Sequence, residues 1–142
     1  MDVEKTLASA PLLADLDAKI IKRLAEQGTR RVYAAGDWII HQDAPASALY
    51  VILRGRARAV KDGEKDATPT NLVAGDFFGE LALIEDHPRT ASVQAVDETE
   101  CMLFVSWQFT ALLKEHPEMA VPIMHALIKR LHRREHRPKV NA

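Results

Sequence analysis

One cysteine, Cys101, stands in 142 residues. No disulfide can form within the chain, which fits a reducing compartment. No apolar stretch approaches the length of a membrane-spanning helix. The N-terminal run MDVEKTLASAPLLADL lacks the basic-then-apolar order of a secretory signal. Together these absences predict a soluble cytoplasmic protein. An excess of one charge is lacking too: 19 Lys and Arg stand against 20 Asp and Glu, a net charge of −1. The molecule as a whole therefore carries no signature of a polyanion-binding protein. A complete metal cluster is also missing. His132 and His136 share a helical spacing suited to zinc, but no Cys or carboxylate pair stands beside them. His41 and His87 stand alone, so a metal-dependent jelly-roll enzyme has little support and no enzyme activity or metal is expected.

What is present is a globular composition, 47% apolar and 27% charged, at a length suited to a single domain spanning residues 1–142. Charge is unevenly placed: from Lys129 onward the chain carries +5, leaving −6 for the rest. Arg130, Arg133 and Arg134 fit a solvated helix end that complements the helix dipole, in preference to a nucleic-acid patch.

Residues 1–28 read as helical. Asp15 and Asp17 are candidate N-caps, Ile20, Ile21 and Leu24 share one face, and Gly28 marks the stop. Residues 29–105 change period. Short strand-prone runs at 30–33, 38–40, 49–53, 56–60, 71–73, 91–96 and 100–105 are punctuated by Gly36, Gly55 and Gly75, with a further hairpin signal at Asp62-Gly63. No crossover helix separates them, which excludes a βαβ sheet and points to an antiparallel sandwich or barrel. Residues 106–137 return to helix. Ser106 is a candidate N-cap, Pro117 interrupts, and Met124, Leu127, Ile128 and Leu131 mark one face of a final helix. Trp38 and Trp107, at element starts, are expected to pack in the core or at a sheet edge, and Cys101 to be a buried hydrophobe.

The chemistry concentrates in FGELALIEDHPRTASV, residues 78–93. Gly79 lets backbone approach a ligand. Residues 80–83, if they begin a helical turn, present free N–H groups to an anion. Glu80 suits a sugar hydroxyl, Arg89 offers a planar fork for a phosphate, and Thr90 and Ala91 leave room beside it. On residue types alone, a Glu and an Arg nine positions apart read more readily as surface charges or a salt bridge than as a ligand site.

The order and spacing of this run resemble the phosphate-binding cassette of the cyclic nucleotide-binding domain family, which includes catabolite activator protein and protein kinase A regulatory subunits. Gly36-Asp37, the run Tyr50–Gly55 and the approach Ala74–Phe78 are similar as well, so the resemblance covers roughly residues 12–131. It implies a mainly β fold: an antiparallel eight-stranded jelly-roll barrel (a double-stranded β-helix) with an N-terminal helix and C-terminal lid helices. It implies ligand contacts from Phe78, Gly79, Glu80, Leu81, Ala82, Arg89, Thr90 and Ala91, with Glu80 on the ribose 2′-hydroxyl and Arg89 on the cyclic phosphate. Leu127, Ile128, Arg130 and Leu131 would lie on the lid. The implied ligand is cAMP, with cGMP open because Thr90 follows the Arg; no further cofactor is implied. The implied role is a regulatory module read by a protein effector or fused domain, with a homodimer through the C-terminal helix as an option. A ligand-independent interaction scaffold is the alternative. The family's transcription factors carry a helix-turn-helix after the lid helix. These 142 residues leave no room for one, so sequence-specific DNA binding is not expected of this stretch.

Overall fold

The computed structural model describes residues 3–10, 13–41, 48–60, 70–79 and 91–135, the side chains of residues 130 and 133–135 excepted. Two helices lead: α1 (Val3–Ser9) and α2 (Ala18–Gln27). Strands follow as β1 (Thr29–Tyr33), β2 (Trp38–Ile40), β3 (Ala48–Arg54), β4 (Arg56–Val60), β5 (Thr70–Val73), β6 (Phe77–Phe78), β7 (Ser92–Ala95) and β8 (Thr99–Val105). The described chain closes with α3 (Ser106–Glu115), a 3-10 turn (Pro117–Met119) and α4 (Ala120–Glu135).

The strands form two four-stranded sheets, ordered β1-β8-β3-β6 and β2-β7-β4-β5. Each pairing is antiparallel. This is the mainly β architecture with flanking helices that the strand pattern predicts.

Alternation along β3 and β8 sorts their side chains onto two faces. Tyr50, Ile52, Cys101 and Leu103 face inward, meeting Ile39, Ile40, Ala57, Leu72, Val93 and Ala95 of the second sheet. Leu49, Val51, Leu53, Met102 and Phe104 face outward and join a second core with the helices, through Leu7, Leu24, Phe109, Leu112, Met119 and Ile123. Both faces of the first sheet's centre are therefore buried, and six of the seven residues in each of these two strands are inaccessible.

Helix α2 follows its sequence signals. The Asp17 carboxylate accepts from the Lys19 N–H at 2.8 Å, satisfying a first-turn donor. Ile20, Ile21 and Leu24 are buried as expected. Gly28 does end the helix, but its backbone is extended, at φ −70°. The glycine is required for space instead: a Cβ there would press on Met102 Sδ and lie 2.9 Å from Phe104 Cε1. An exposed ion pair, Arg23 Nη1 to Glu115 Oε1 at 2.6 Å, ties α2 to α3. The hydrogen bond from Arg23 holds the Glu115 carboxyl below its ordinary range.

Two expectations for α3 are corrected. Ser106 lies inside the helix; Val105 occupies the cap position, with no side-chain cap bond. Trp107 is 69% exposed, not packed in the core. The α3 face that meets the outer core carries Phe109 and Leu112, and Trp107 stands two residues before Phe109, on the opposite side of the helix. Trp38, on edge strand β2, is partly exposed and leans toward His41, ring centroids 6.2 Å apart.

The junction of β3 and β4 is tightly built. Gly55 takes φ +96°, where a side chain is strained. A Cβ there would also collide with the Glu98 carbonyl oxygen and lie 2.7 Å from the Thr99 hydroxyl oxygen. That buried hydroxyl sits 2.9 Å from the carbonyls of Arg56 and Asp97, binding the turn to the start of β8. Gly55→Ala combines backbone strain with overpacking. It is expected to cost about 2–4 kcal/mol, seen as a lower urea midpoint at unchanged m-value; an unchanged midpoint would contradict this account of the junction.

Candidate functional site

The two strands that bracket the cassette are held in different sheets. On one side β6 pairs with β3, with Phe78 opposite Tyr50. On the other β7 pairs with β4, with Ser92 opposite Val60. Phe78 is buried, and its ring stacks on Tyr50 with centroids 4.9 Å apart and planes 10° from parallel. Such a pair contributes about 0.5–1.5 kcal/mol beyond its buried area. Gly79 follows at φ +77°, a conformation glycine reaches without strain. At the other end Ala91 is half-buried and Ser92 is buried.

Of the predicted ligand contacts, Phe78, Gly79 and Ala91 are therefore placed, at the two ends of the cassette. Glu80, Leu81, Ala82, Arg89 and Thr90 lie outside the described residues. So do His87 and His136 of the metal reading. Among the described residues, no group of three His, Cys, Asp or Glu could hold a metal ion.

Between the sheets, the aromatic side chains come from the first sheet, and they meet alanines of β4 and β7 in the second. Tyr50, Phe78 and Leu103 face Ala57 and Ala95, which pair directly across β4 and β7, while Ala59 pairs with Val93. The buried polar or charged residues, among those described, are Ser92, Thr99 and Glu100. Glu100 shares the outer face with Met102 and pairs with Arg30 at 2.8 Å, while Thr99 is bonded at the Gly55 junction. No buried cation enters the space between the sheets from the described residues. An anion held there would have to be gripped by the cassette itself.

Cys101 is fully buried on this inner face, and burial pushes its thiol up from 9.0 to about 12, with the Glu100 charge adding to the effect. Tyr33, at the edge of the same cluster, also has a raised phenol, mainly from burial and then from Tyr50 and Cys101. Exposed pairs join the β3–β4 junction to the turn before β8, Arg56 Nε to Asp97 Oδ2 at 2.6 Å and Arg54 to Glu98 at 3.0 Å. The hydrogen bond from Arg56 lowers the Asp97 carboxyl.

The predicted lid residues lie on α4. Leu127 is half-buried and packs against the outer core, whereas Ile128 and Leu131 are exposed. None of the three belongs to the cluster between the sheets. Tyr50 is an inner-face residue that the sequence does not mark as a contributor to the site. A tyrosine amid aliphatic residues in a strand is its only signal, since its stacking partner lies 28 positions away.

Two antiparallel sheets face to face, with the cassette strung between strands of each, define a jelly-roll ligand-binding module. The Cyclic nucleotide-binding domain pattern matches residues 30–116, more than half the chain. The chain belongs to the cyclic nucleotide-binding domain family. It is 36% identical over 110 residues to a cAMP-dependent protein kinase regulatory subunit of Schizosaccharomyces pombe, covering 78% of this chain and 26% of that protein. Over 142 residues it is 30% identical to an uncharacterised NTE family protein of Mycobacterium bovis, covering 99% of this chain and 24% of that one. The chain thus spans about a quarter of the length of these relatives. Among solved structures it resembles the catabolite activator protein of Thermus thermophilus, with a TM-score of 0.77 at 27% identity, over 88% of this chain and 60% of that one. It also resembles the regulatory domain of Toxoplasma gondii PKA crystallised with cAMP, with a TM-score of 0.74 at 26% identity, over 92% and 48% of the two chains.

The raised thiol gives a test of the inner core. The unfolded thiol ionises near 9 while the folded one holds its proton to about 12. The folded state thus binds the extra proton across that window, so this stability is complete below the unfolded pKa and declines as pH rises toward the folded one. Native protein at pH 8 is expected to leave Cys101 unmodified by Ellman's reagent, with one thiol appearing on denaturation. The urea midpoint should fall as pH rises above 9. Rapid labelling of native protein would contradict the packing.

Proposed function

We propose that residues 1–142 form a single cyclic nucleotide-binding regulatory domain, with cAMP its preferred ligand and cGMP the competing one. It comprises a helical segment at 1–28, a barrel at 29–105 carrying the cassette at 78–93, and helices at 106–137. The observation that carries this reading is the cassette sequence itself. An unbroken FGELAL…PRTA run stands between Phe78 and Ser92, whose strands lie in separate sheets. Family membership and the cAMP named for the Toxoplasma regulatory domain support it.

In this reading the chain's own groups divide the work. Glu80 accepts from the ribose 2′-hydroxyl. Arg89 pairs with the cyclic phosphate through its planar fork, and backbone groups of Gly79, Leu81, Thr90 and Ala91 complete the cradle. The lack of any buried cation among the described residues between the sheets makes Arg89 the decisive countercharge. The Tyr50–Phe78 stack fixes the strand from which Gly79 and Glu80 start. Binding acts on a partner by shifting a two-state equilibrium. In one state α4 rests on the outer core, as here. In the other Leu127, Ile128, Arg130 and Leu131 close over the nucleotide. The domain has no catalytic role of its own and passes the signal to a fused domain or a protein effector.

Removing Arg89 would leave the phosphate unpaired, at a cost of about 3–5 kcal/mol, or two to three orders of magnitude in affinity. Arg89→Ala is expected to weaken cAMP binding at least a hundredfold in calorimetric titration while keeping the native melting transition. Wild-type protein titrated in parallel with cGMP ranks the two ligands. A saturating nucleotide at about a hundred times its Kd should add roughly 2.7 kcal/mol of stability. No stabilisation by either nucleotide would overturn the proposal and favour the ligand-independent scaffold.

A further inference from the structure

A cleft of about 630 Å³ opens between α4 and the turn that joins α1 to α2. Among the described residues, its lining shares nothing with the cluster between the sheets. Such a volume lies in the range of small-molecule sites, about 300–1,000 Å³. It is too small for a docked helix, which is about 10–12 Å across. The α4 wall runs from Pro122 to His132, about 15 Å at the helical rise per residue.

The lining says what fits. Pro122, Ala126 and Ile128 supply an apolar surface. His125, Lys129 and His132 recur at spacings of four and three, so they stand on one side of the helix and line the cleft together. Ala14 and Asp15 form the facing wall. Asp15, Pro122 and His125 also line a smaller cleft of about 390 Å³, which continues to Asp17 and Glu118. Charge therefore changes sign along the groove. Carboxylates gather at the Pro122 end, and Lys129 and His132 hold the other. Among the described residues, no carboxylate pairs with Lys129. An ammonium and imidazole N–H donors beside an apolar wall suit one anionic head group. The carboxylates at the far end repel a second negative charge.

We propose that this cleft is a binding site for an amphipathic monoanion, a carboxylate on an apolar chain. The head group sits at Lys129 and His132, and the chain lies on Pro122, Ala126 and Ile128. Seated there, the ligand ties α4 to the turn at Ala14 and Asp15. This inference stands on the cleft and does not depend on nucleotide binding by the cassette.

The test uses the 142-residue chain, with dansylaminoundecanoate as the probe and its uncharged methyl ester as the comparison. Both are titrated by dansyl fluorescence. The carboxylate is expected to bind at least about tenfold tighter than the ester. Lys129→Gln should abolish that preference, and Lys129→Arg should keep it. Ala14 is exposed on the facing wall, so Ala14→Phe fills the cleft without entering the core. This variant should keep the wild-type melting transition and weaken the carboxylate at least about tenfold. Equal affinity for carboxylate and ester, binding of neither, or a preference that survives Lys129→Gln would overturn the proposal. So would binding untouched by Ala14→Phe, since the probe would then sit elsewhere on the chain.

Discussion

The structure hangs on the pairing of β3 with β8. Residues from Ala48 to Arg54 run antiparallel to residues from Glu100 to Val105, with Tyr50 opposite Leu103 and Val51 opposite Met102. This strand pair is the wall between two cores. Its outward side chains hold the N- and C-terminal helices, and its inward ones close the space between the sheets. Because side chains alternate strictly, a slip of one residue would exchange the two sets. Leu49, Val51 and Leu53 would then enter the inner space, and Tyr50 would leave Phe78. Register at β3 therefore sets the helix seat and the cassette's anchor at once. The bulge between Ile52 and Arg54 ends the regular pairing, and the Gly55 turn, bonded through Thr99, locks it at that end. Close packing explains why the wall is unforgiving: a Cβ at Gly28 or Gly55 has no room on either side of it.

Charge is arranged to leave the interior neutral. Arginines of the strands and their turns, Arg30, Arg54 and Arg56, point to the surface and meet Glu100, Glu98 and Asp97. The two exposed pairs, Arg54 with Glu98 and Arg56 with Asp97, contribute little each to stability. Their consequence is spatial, because they hold the barrel's cations away from the space between the sheets. An anion entering that space meets aromatic and small aliphatic walls, where an unpaired charge is expensive. On the proposed function, the whole of that cost falls on the cassette. A single Arg in a short segment can then decide affinity while the barrel folds without it.

Much of this is legible in the sequence because the signals are local. Gly36, Gly55 and Gly75 stand at turns, all three with positive φ, and the strand runs between them match the observed strands closely. Asp17 caps α2 because an acceptor one residue before a helix meets free N–H groups whatever lies around it. The failures are of a different kind. Trp107 has the composition of a core residue, but its exposure is set by which side of α3 the sheet presents, and that side carries Phe109 and Leu112. Ser106 has the right chemistry for a cap and lies one residue too late. The Tyr50–Phe78 stack depends on a pairing between strands far apart in sequence. For the site, the cassette's residue types are readable in order, whereas the division of its two ends between sheets is not, because sheet membership follows from long-range pairing.

Helix α4 draws these strands together. Met119, before it, is fully buried, but within the helix the packed contact comes from Ile123, Ala126 and part of Leu127. Burying a side chain such as Ile123 stabilises by about 1.5–3 kcal/mol, and an alanine by less. Releasing the helix from the outer core thus costs only a few kcal/mol. A ligand that binds one state a hundredfold more tightly than the other supplies about 2.7 kcal/mol. The two quantities are of the same size, which is the condition for a ligand to move an element and not merely to decorate it. On the proposed function, Leu or Phe in place of Ala126 would tighten the seat and leave a nucleotide less able to shift the helix.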